Sequence, residues 1–358
     1  MILPGSYLSS LLLLILSMLC WGSWANTFKA AGKWRFELFY FDYSIGVFLA
    51  SIVCAFTFGT MGIDGFSVMD DLGLAGKRQE LLAFVAGLVF NLANMLIVGA
   101  ISIAGMAVAF PVGIGLALIV GVVLSYITHP VGNIVLLGAG CAAILVAIVL
   151  DSVAWRQYAA RGTALAAKEA AAPRETSRVA AKAAKKTSSS GKGIWLAIVG
   201  GVLMGLFYPI VELSKQGENG LGPYTIGLIF AAGVLFSTFV YNLFFMNLPI
   251  QGEPLEIGEY FRGKGKSHLL GIAGGIVWFI GAITNFVAAR AEGPALVGPA
   301  VSYAMGQGAT LITVLWGLIV WKEFADAQSS VRALVTAMLA LFIIGLAAVS
   351  LAPVYGAH

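Results

Sequence analysis

The chain has 358 residues, of which 59% are hydrophobic and 11% charged, and its formal net charge is +4. A soluble domain carries roughly 25% charge, so a cytosolic globular protein is excluded and lipid is the solvent for most of the sequence. No nucleic-acid partner is expected.

In chain order, Met1 to Phe28 contains no charged side chain, and Lys29, Lys33 and Arg35 follow it. That order suits a retained first span over 6–28 with its N-terminus outside, rather than a cleaved signal peptide. A second span is expected over 42–62. Residues 81–150 hold no Asp, Glu, Lys or Arg, and a helix needs about 20 apolar residues to cross the hydrocarbon. That leaves room for three spans, at 81–103, 106–127 and 132–150. A basic, Ala-rich stretch over 155–192 reads as a linker, with a short surface helix upstream and a Ser-Gly tether downstream. Spans are then expected over 193–213, 223–245, 268–289, 296–320 and 331–352. Frequent Gly and Pro and the lack of two-residue alternation argue against a strand barrel.

Two sets of five spans emerge, 1–154 and 193–358. Tyr43-Ser44-Ile45-Gly46 recurs as Tyr224-Thr225-Ile226-Gly227, and Gly87 and Pro111 recur at the same spacing as Gly275 and Pro299. An odd number of spans per unit places the second unit upside down relative to the first. The sequence therefore predicts an all-α integral membrane protein of ten transmembrane helices, built as two inverted five-helix repeats. Such repeats build a site near the bilayer midplane that opens to either side. Loops on the linker's side carry 17 Lys and Arg against 4 on the other. The positive-inside rule then predicts a cytoplasmic linker and both termini outside, in a cell (inner or plasma) membrane.

Phe41-Asp42-Tyr43-Ser44-Ile45-Gly46, with Phe56-Thr57-Phe58-Gly59 after it, resembles the second-span signature of the ureide permeases and their bacterial relatives. Asn247 to Pro254 resembles their connection before the eighth span, and Gly263-Lys264-Gly265-Lys266-Ser267 precedes that span much as in the family. The resemblance covers nearly the whole chain. It implies the drug/metabolite transporter superfamily, near the glucose and rhamnose uptake proteins. It also implies ureide or nucleobase substrates such as allantoin and uracil, and proton coupling. Plant members carry a phosphate-loop-like motif in the central loop. Here only Ser190-Gly191-Lys192-Gly193 is present, so no nucleotide or other cofactor is expected.

The spans offer a polar and aromatic set of candidate substrate contacts. Trp21 and Trp24 lie in the first span, with Phe207 and Tyr208 as their counterparts in the sixth; the alternative for these rings is packing or an interfacial belt. Asn91 and Asn94 share one face of the third helix. They either present amide edges to solute or bond a neighbouring helix. Trp278 aligns with Phe90, and Asn285 lies two turns on. Tyr303, Gln307 and Thr310 follow at i, i+4 and i+7, forming a stripe that lines a cavity or a helix seam. Asp42 and Glu212 are the coupling candidates. For Asp42 the alternative is a helix N-cap, and for Glu212 an ion pair with Lys215 or exposure to water. Pro111 and Pro299 are candidate hinges, with a structural kink as the alternative. The cysteines Cys20, Cys54 and Cys141 read as packing residues. His129, His268 and His358 read as isolated, so no metal is expected.

The leading expectation is a secondary carrier that binds a small, mostly neutral polar solute and alternates its access, with sugar uptake as the second reading. A membrane enzyme has no clustered acids, nucleophile or metal ligands to rest on. A structural membrane protein gives no account of the repeat.

Overall fold

A computed structural model describes residues 1–170, 190–249, 253–322 and 327–356. Among these residues the chain is helical without strands. Its helices are α1 (Tyr7–Ser23), α2 (Ala25–Ala31), α3 (Phe36–Phe56), α4 (Val68–Leu74), α5 (Lys77–Ala104), α6 (Met106–Thr128), α7 (Ile134–Ala170), α8 (Ser190–Ser214), α9 (Pro223–Asn247), α10 (Gly258–Phe261), α11 (Gly265–Ala289), α12 (Pro299–Gly306), α13 (Ala309–Ile319) and α14 (Ser329–Leu351). Nine segments among the described residues are long and apolar enough to cross a membrane, α1 and α2 together counting as one. The expected ninth span is instead two helices of 8 and 11 residues, α12 and α13, broken at Gln307 and Gly308. The protein is a multi-pass membrane protein.

Local chemistry sets several boundaries. Ser6 caps α1 in a reciprocal box with Ser9, and Ser67 caps α4 through the Asp70 amide, satisfying N–H groups that a helix start leaves bare. Gly105 (φ +81°) and Gly298 (φ +83°) turn the chain into α6 and α12. A residue with a side chain is strained at such φ. The second helix begins at Phe36, not at 42. The α7 helix runs without interruption to Ala170, so the upstream part of the linker is no separate surface helix. The remainder, 171–189, lies outside the described residues.

The helices pair across the two halves. The α3 helix packs on α11 and α9, α5 on α8 and α9, and α1 on α11 and α13; α6 packs on α8, and α7 on α14. Exchange of α1 with α8, α3 with α9, α5 with α11, α6 with α12–α13 and α7 with α14 maps this list onto itself. That is compatible with two repeated units. Glycines fix two of the crossings. A Cβ on Gly46 would collide with the Ile272 carbonyl and one on Gly275 with the Tyr43 carbonyl, so α3 and α11 touch backbone to backbone. Gly87 meets the Phe230 carbonyl and Gly233 the Phe84 carbonyl, locking α5 to α9 in the same way. Gly46 is thus matched in space by Gly233, not by Gly227, where an added Cβ would meet only the Phe279 and Ile283 side chains. The recurring tetrapeptide is displaced along α9 from the position that packing makes equivalent.

Candidate substrate site

The two glycine crossings bring a cluster of rings to the middle of the molecule. Trp278 lies 4.4 Å from Phe90 between ring centroids, 6.3 Å from Tyr43, and 6.1 Å from both Phe230 and Trp21, nearly parallel to the last two. The Trp21 indole donates to the Trp278 carbonyl at 3.2 Å. Trp24, at the junction of α1 and α2, tilts against Tyr43 at 4.9 Å, and Tyr43 stacks on Tyr40 at 4.8 Å. Trp21, Trp24 and Trp278 are therefore together, drawn from two transmembrane segments that only the fold unites.

Next to these rings lies a polar group. The Tyr208 hydroxyl donates to Asn285 Oδ1 at 2.5 Å, and Asn285 Nδ2 donates to the Ser302 carbonyl at 3.0 Å. Tyr303 lies 5.1 Å from Tyr208 and donates to the Met204 carbonyl at 3.1 Å. Unpaired polar groups in this medium cost free energy, and these pairings tie α8, α11 and α12 together. Asn94 donates to the Tyr40 hydroxyl at 2.9 Å. Asn91 is spent on α9, donating toward Val234 O, Ser237 Oγ and Thr238 Oγ1 at 2.7–3.2 Å. Asn91 and Asn94 thus face different neighbours: Asn91 forms a helix seam, and Asn94 reaches the aromatic cluster.

The stripe read for Tyr303, Gln307 and Thr310 is interrupted. Gln307 is the C-cap of α12 and Thr310 falls on α13. Tyr303 belongs to the central polar group, while Thr310 opens onto a cavity of about 330 Å³ on the linker face. That cavity is also lined by Asn26, Lys29, Asp151, Trp155 and Trp321. Lys29 Nζ sits 4.2 Å over the Trp321 ring, whose indole donates to Asn26 Oδ1 at 2.6 Å. On the face that carries the termini, a cavity of about 270 Å³ is lined by His129, Glu212, Lys215, Arg290 and Pro299. Lys215 and Glu212 form a 2.6 Å ion pair with side chains 7% and 5% exposed. Burial pushes the Lys215 ammonium below its ordinary value, and the Glu212 carboxylate acts against that. Glu212 is accordingly paired and not open to water. Lys29 and Lys215 stand at equivalent ends of α1–α2 and α8, so the two mouths are built alike on opposite faces.

Asp42 is not an N-cap, because Arg35 holds that position for α3. Asp42 is 2% exposed. It accepts from the Tyr260 hydroxyl at 2.6 Å and faces His268 Nδ1 at 2.9 Å. Burial and the Asp42 carboxylate both push the Tyr260 phenol upward. His268 is therefore not isolated. It joins α3, α10 and α11 at the linker face, with the Trp34 ring edge-on at 5.3 Å. Pro299 is the first residue of α12, where its missing N–H removes no helical bond. Pro111 lies inside α6, where one is lost. The two prolines are consequently not equivalent, and the break in α12–α13 comes from Gln307 and Gly308.

Residues 39–192 match the ureide permease family. The chain aligns with Ureide permease 2 of Arabidopsis thaliana at 22% identity, over 95% of each protein. With Ureide permease 5 of the same plant the identity is 23%, over 93% of this chain and 91% of the other. The chain is thus similar to the ureide permeases over nearly its whole length. The apolar helices make the lipid bilayer its surroundings. A solved crystal structure superposes with a TM-score of 0.60 at 16% identity, covering 96% of this chain and 98% of that one, a likeness of fold alone.

Sequence reasoning missed Tyr40, Tyr43, Tyr260, His268 and Asp151. Tyr43 lay inside a quoted motif, and a buried tyrosine beside a span acid is the signal that was available.

Proposed function

We propose that this chain is a secondary active transporter of a small, mostly neutral polar solute of ureide or nucleobase type, such as allantoin or uracil. It is driven by protons and works by alternating access. The observation that carries this reading is the pair of like mouths on opposite faces, 330 Å³ and 270 Å³, with the tryptophan and tyrosine cluster between them. Full-length likeness to ureide permeases supports the solute class. Flat uncharged rings stack on Trp21, Trp24 and Trp278, and stacking between aromatic faces adds roughly 0.5–1.5 kcal/mol per pair beyond area burial. Asn94, Tyr208, Asn285, Tyr303, Gln307 and Thr310 supply hydrogen bonds on either side of the rings.

The halves 1–154 and 193–358 act as inverted repeats that rock about the glycine crossings. Pro111 and the Gln307–Gly308 break absorb the bending. Asp42 carries the coupling proton, shared with His268 and Tyr260. Glu212, held by Lys215, is the second coupling candidate and closes the mouth on the termini face. The linker lies in the cytoplasm and both termini outside a cell membrane, following the bias in basic residues.

Uptake into proteoliposomes tests this directly, with radiolabelled allantoin, uracil and glucose and an imposed pH gradient. Accumulation of allantoin or uracil that collapses with the gradient is expected. Accumulation of glucose alone moves the chain to sugar uptake, and gradient-independent equilibration removes proton coupling.

A further inference from the structure

Four tyrosines are wholly buried: Tyr40, Tyr43, Tyr208 and Tyr303. Three have hydroxyl partners within the protein, namely Asn94, Asn285 and the Met204 carbonyl. The Tyr43 hydroxyl has none. A buried polar group left unpaired is costly, and such exceptions gather where a ligand or a reaction completes the set.

Packing gives no reason for this hydroxyl. The Tyr43 carbonyl abuts Gly275 at one crossing, and the Phe230 carbonyl abuts Gly87 at the other. Tyr43 and Phe230 thus occupy equivalent positions, and both rings pack on Trp278, at 6.3 and 6.1 Å. Phenylalanine fills the place in one half, so the fold asks only for a ring. The oxygen sits in the half that also holds Trp21 and Trp24.

We infer that Tyr43 is a specificity-determining residue whose hydroxyl donates to a carbonyl oxygen of the solute, while the Trp24 and Trp278 rings beside it hold the solute's flat face. This rests on the transport reading above and narrows its substrate class to planar molecules with an N–C=O edge.

The test compares Tyr43→Phe with Tyr208→Phe in purified protein and in proteoliposomes. For Tyr43→Phe the ligand-free unfolding temperature should stay level or rise, while KM for uracil or allantoin uptake rises about tenfold or more. For Tyr208→Phe the ligand-free unfolding temperature should fall. A fall for Tyr43→Phe of the size seen for Tyr208→Phe would overturn the inference, because a protein group or trapped water would then hold the hydroxyl. An unchanged KM for the transported solute would overturn it equally. If the wild type carries glucose alone, the ureide reading and the narrowed class both fall, and the KM for glucose decides whether Tyr43 touches the solute. If the wild type carries none of the three, the transport reading fails, and the stability comparison alone decides whether the hydroxyl is free.

Discussion

The two glycine crossings share a backbone and differ in chemistry. At α5–α9, Gly87 and Gly233 bring together Phe90, Phe230 and the Asn91 amide, whose nitrogen bonds α9. At α3–α11, Gly46 and Gly275 bring together Tyr43, Trp278 and, beside Tyr43, the Asp42–His268 pair. One crossing joins helices and adds two phenylalanine rings to the central cluster. The other carries a buried hydroxyl without a protein partner and a buried carboxylate bonded to His268 and Tyr260. Repetition of a backbone device leaves the side chains of one copy free to specialise, as long as each glycine remains.

The comparison breaks first at its shared element. Gly87→Leu and Gly275→Leu should each abolish the monodisperse folded fraction in size-exclusion chromatography. A side chain there meets carbonyl oxygen on a neighbouring helix, a clash beyond the roughly 1–3 kcal/mol of ordinary overpacking. If only one of the two is lost, the crossings are not equivalent. The mouths come next. Lys215→Ala strands the Glu212 carboxylate with its side chain 5% exposed, at a cost of about 3–5 kcal/mol. Lys29→Ala removes an exposed cation from the Trp321 face, worth about 0.5–1 kcal/mol. Thermal unfolding in detergent measures both. Asp42→Asn sharpens the chemical difference: gradient-driven uptake should drop more than tenfold, while exchange of solute across the membrane at equal pH persists. Equal loss of both would assign Asp42 to structure. Tyr208→Phe falls between the two lysine changes in its effect on stability. It leaves Asn285 Oδ1 without its donor and should lower stability by about 1–1.5 kcal/mol, read as a shift in unfolding temperature.

Much of this architecture is legible in composition. Long uncharged runs can only be spans, and the basic linker divides them into two sets. The tryptophans were legible as candidates because Trp21 and Trp24 flank small residues and Trp278 aligns with Phe90 across the repeat. What the sequence hid depends on where helices begin and what they meet. Asp42 reads as a cap if the second helix starts there. In the fold, Phe36 and Glu37 form an earlier first turn, and Asp42 is carried inward. His268 reads as solitary because its partner is 226 residues away. The ninth span reads as continuous because Gly306 and Gly308 are common in membrane helices, and nothing local says that the chain stops and restarts at Gln307. Gly227 matches Gly46 by its neighbours in sequence, yet Gly233 matches it by contact. Short identities are weaker guides to equivalence than the carbonyl a glycine touches.

The unbroken α7 helix has a mechanical consequence. Its 37 residues form a rod about 55 Å long, nearly twice the roughly 30 Å hydrocarbon core. The part beyond Trp155 projects about 23 Å toward the linker. Tilting the rod by about 10° would sweep its tip through some 4 Å. A transport cycle that tilts α7 against α14 is therefore magnified at Ala170. The helix serves as a pointer, and a spectroscopic label at its end would report the rocking of the halves without touching the path of the solute.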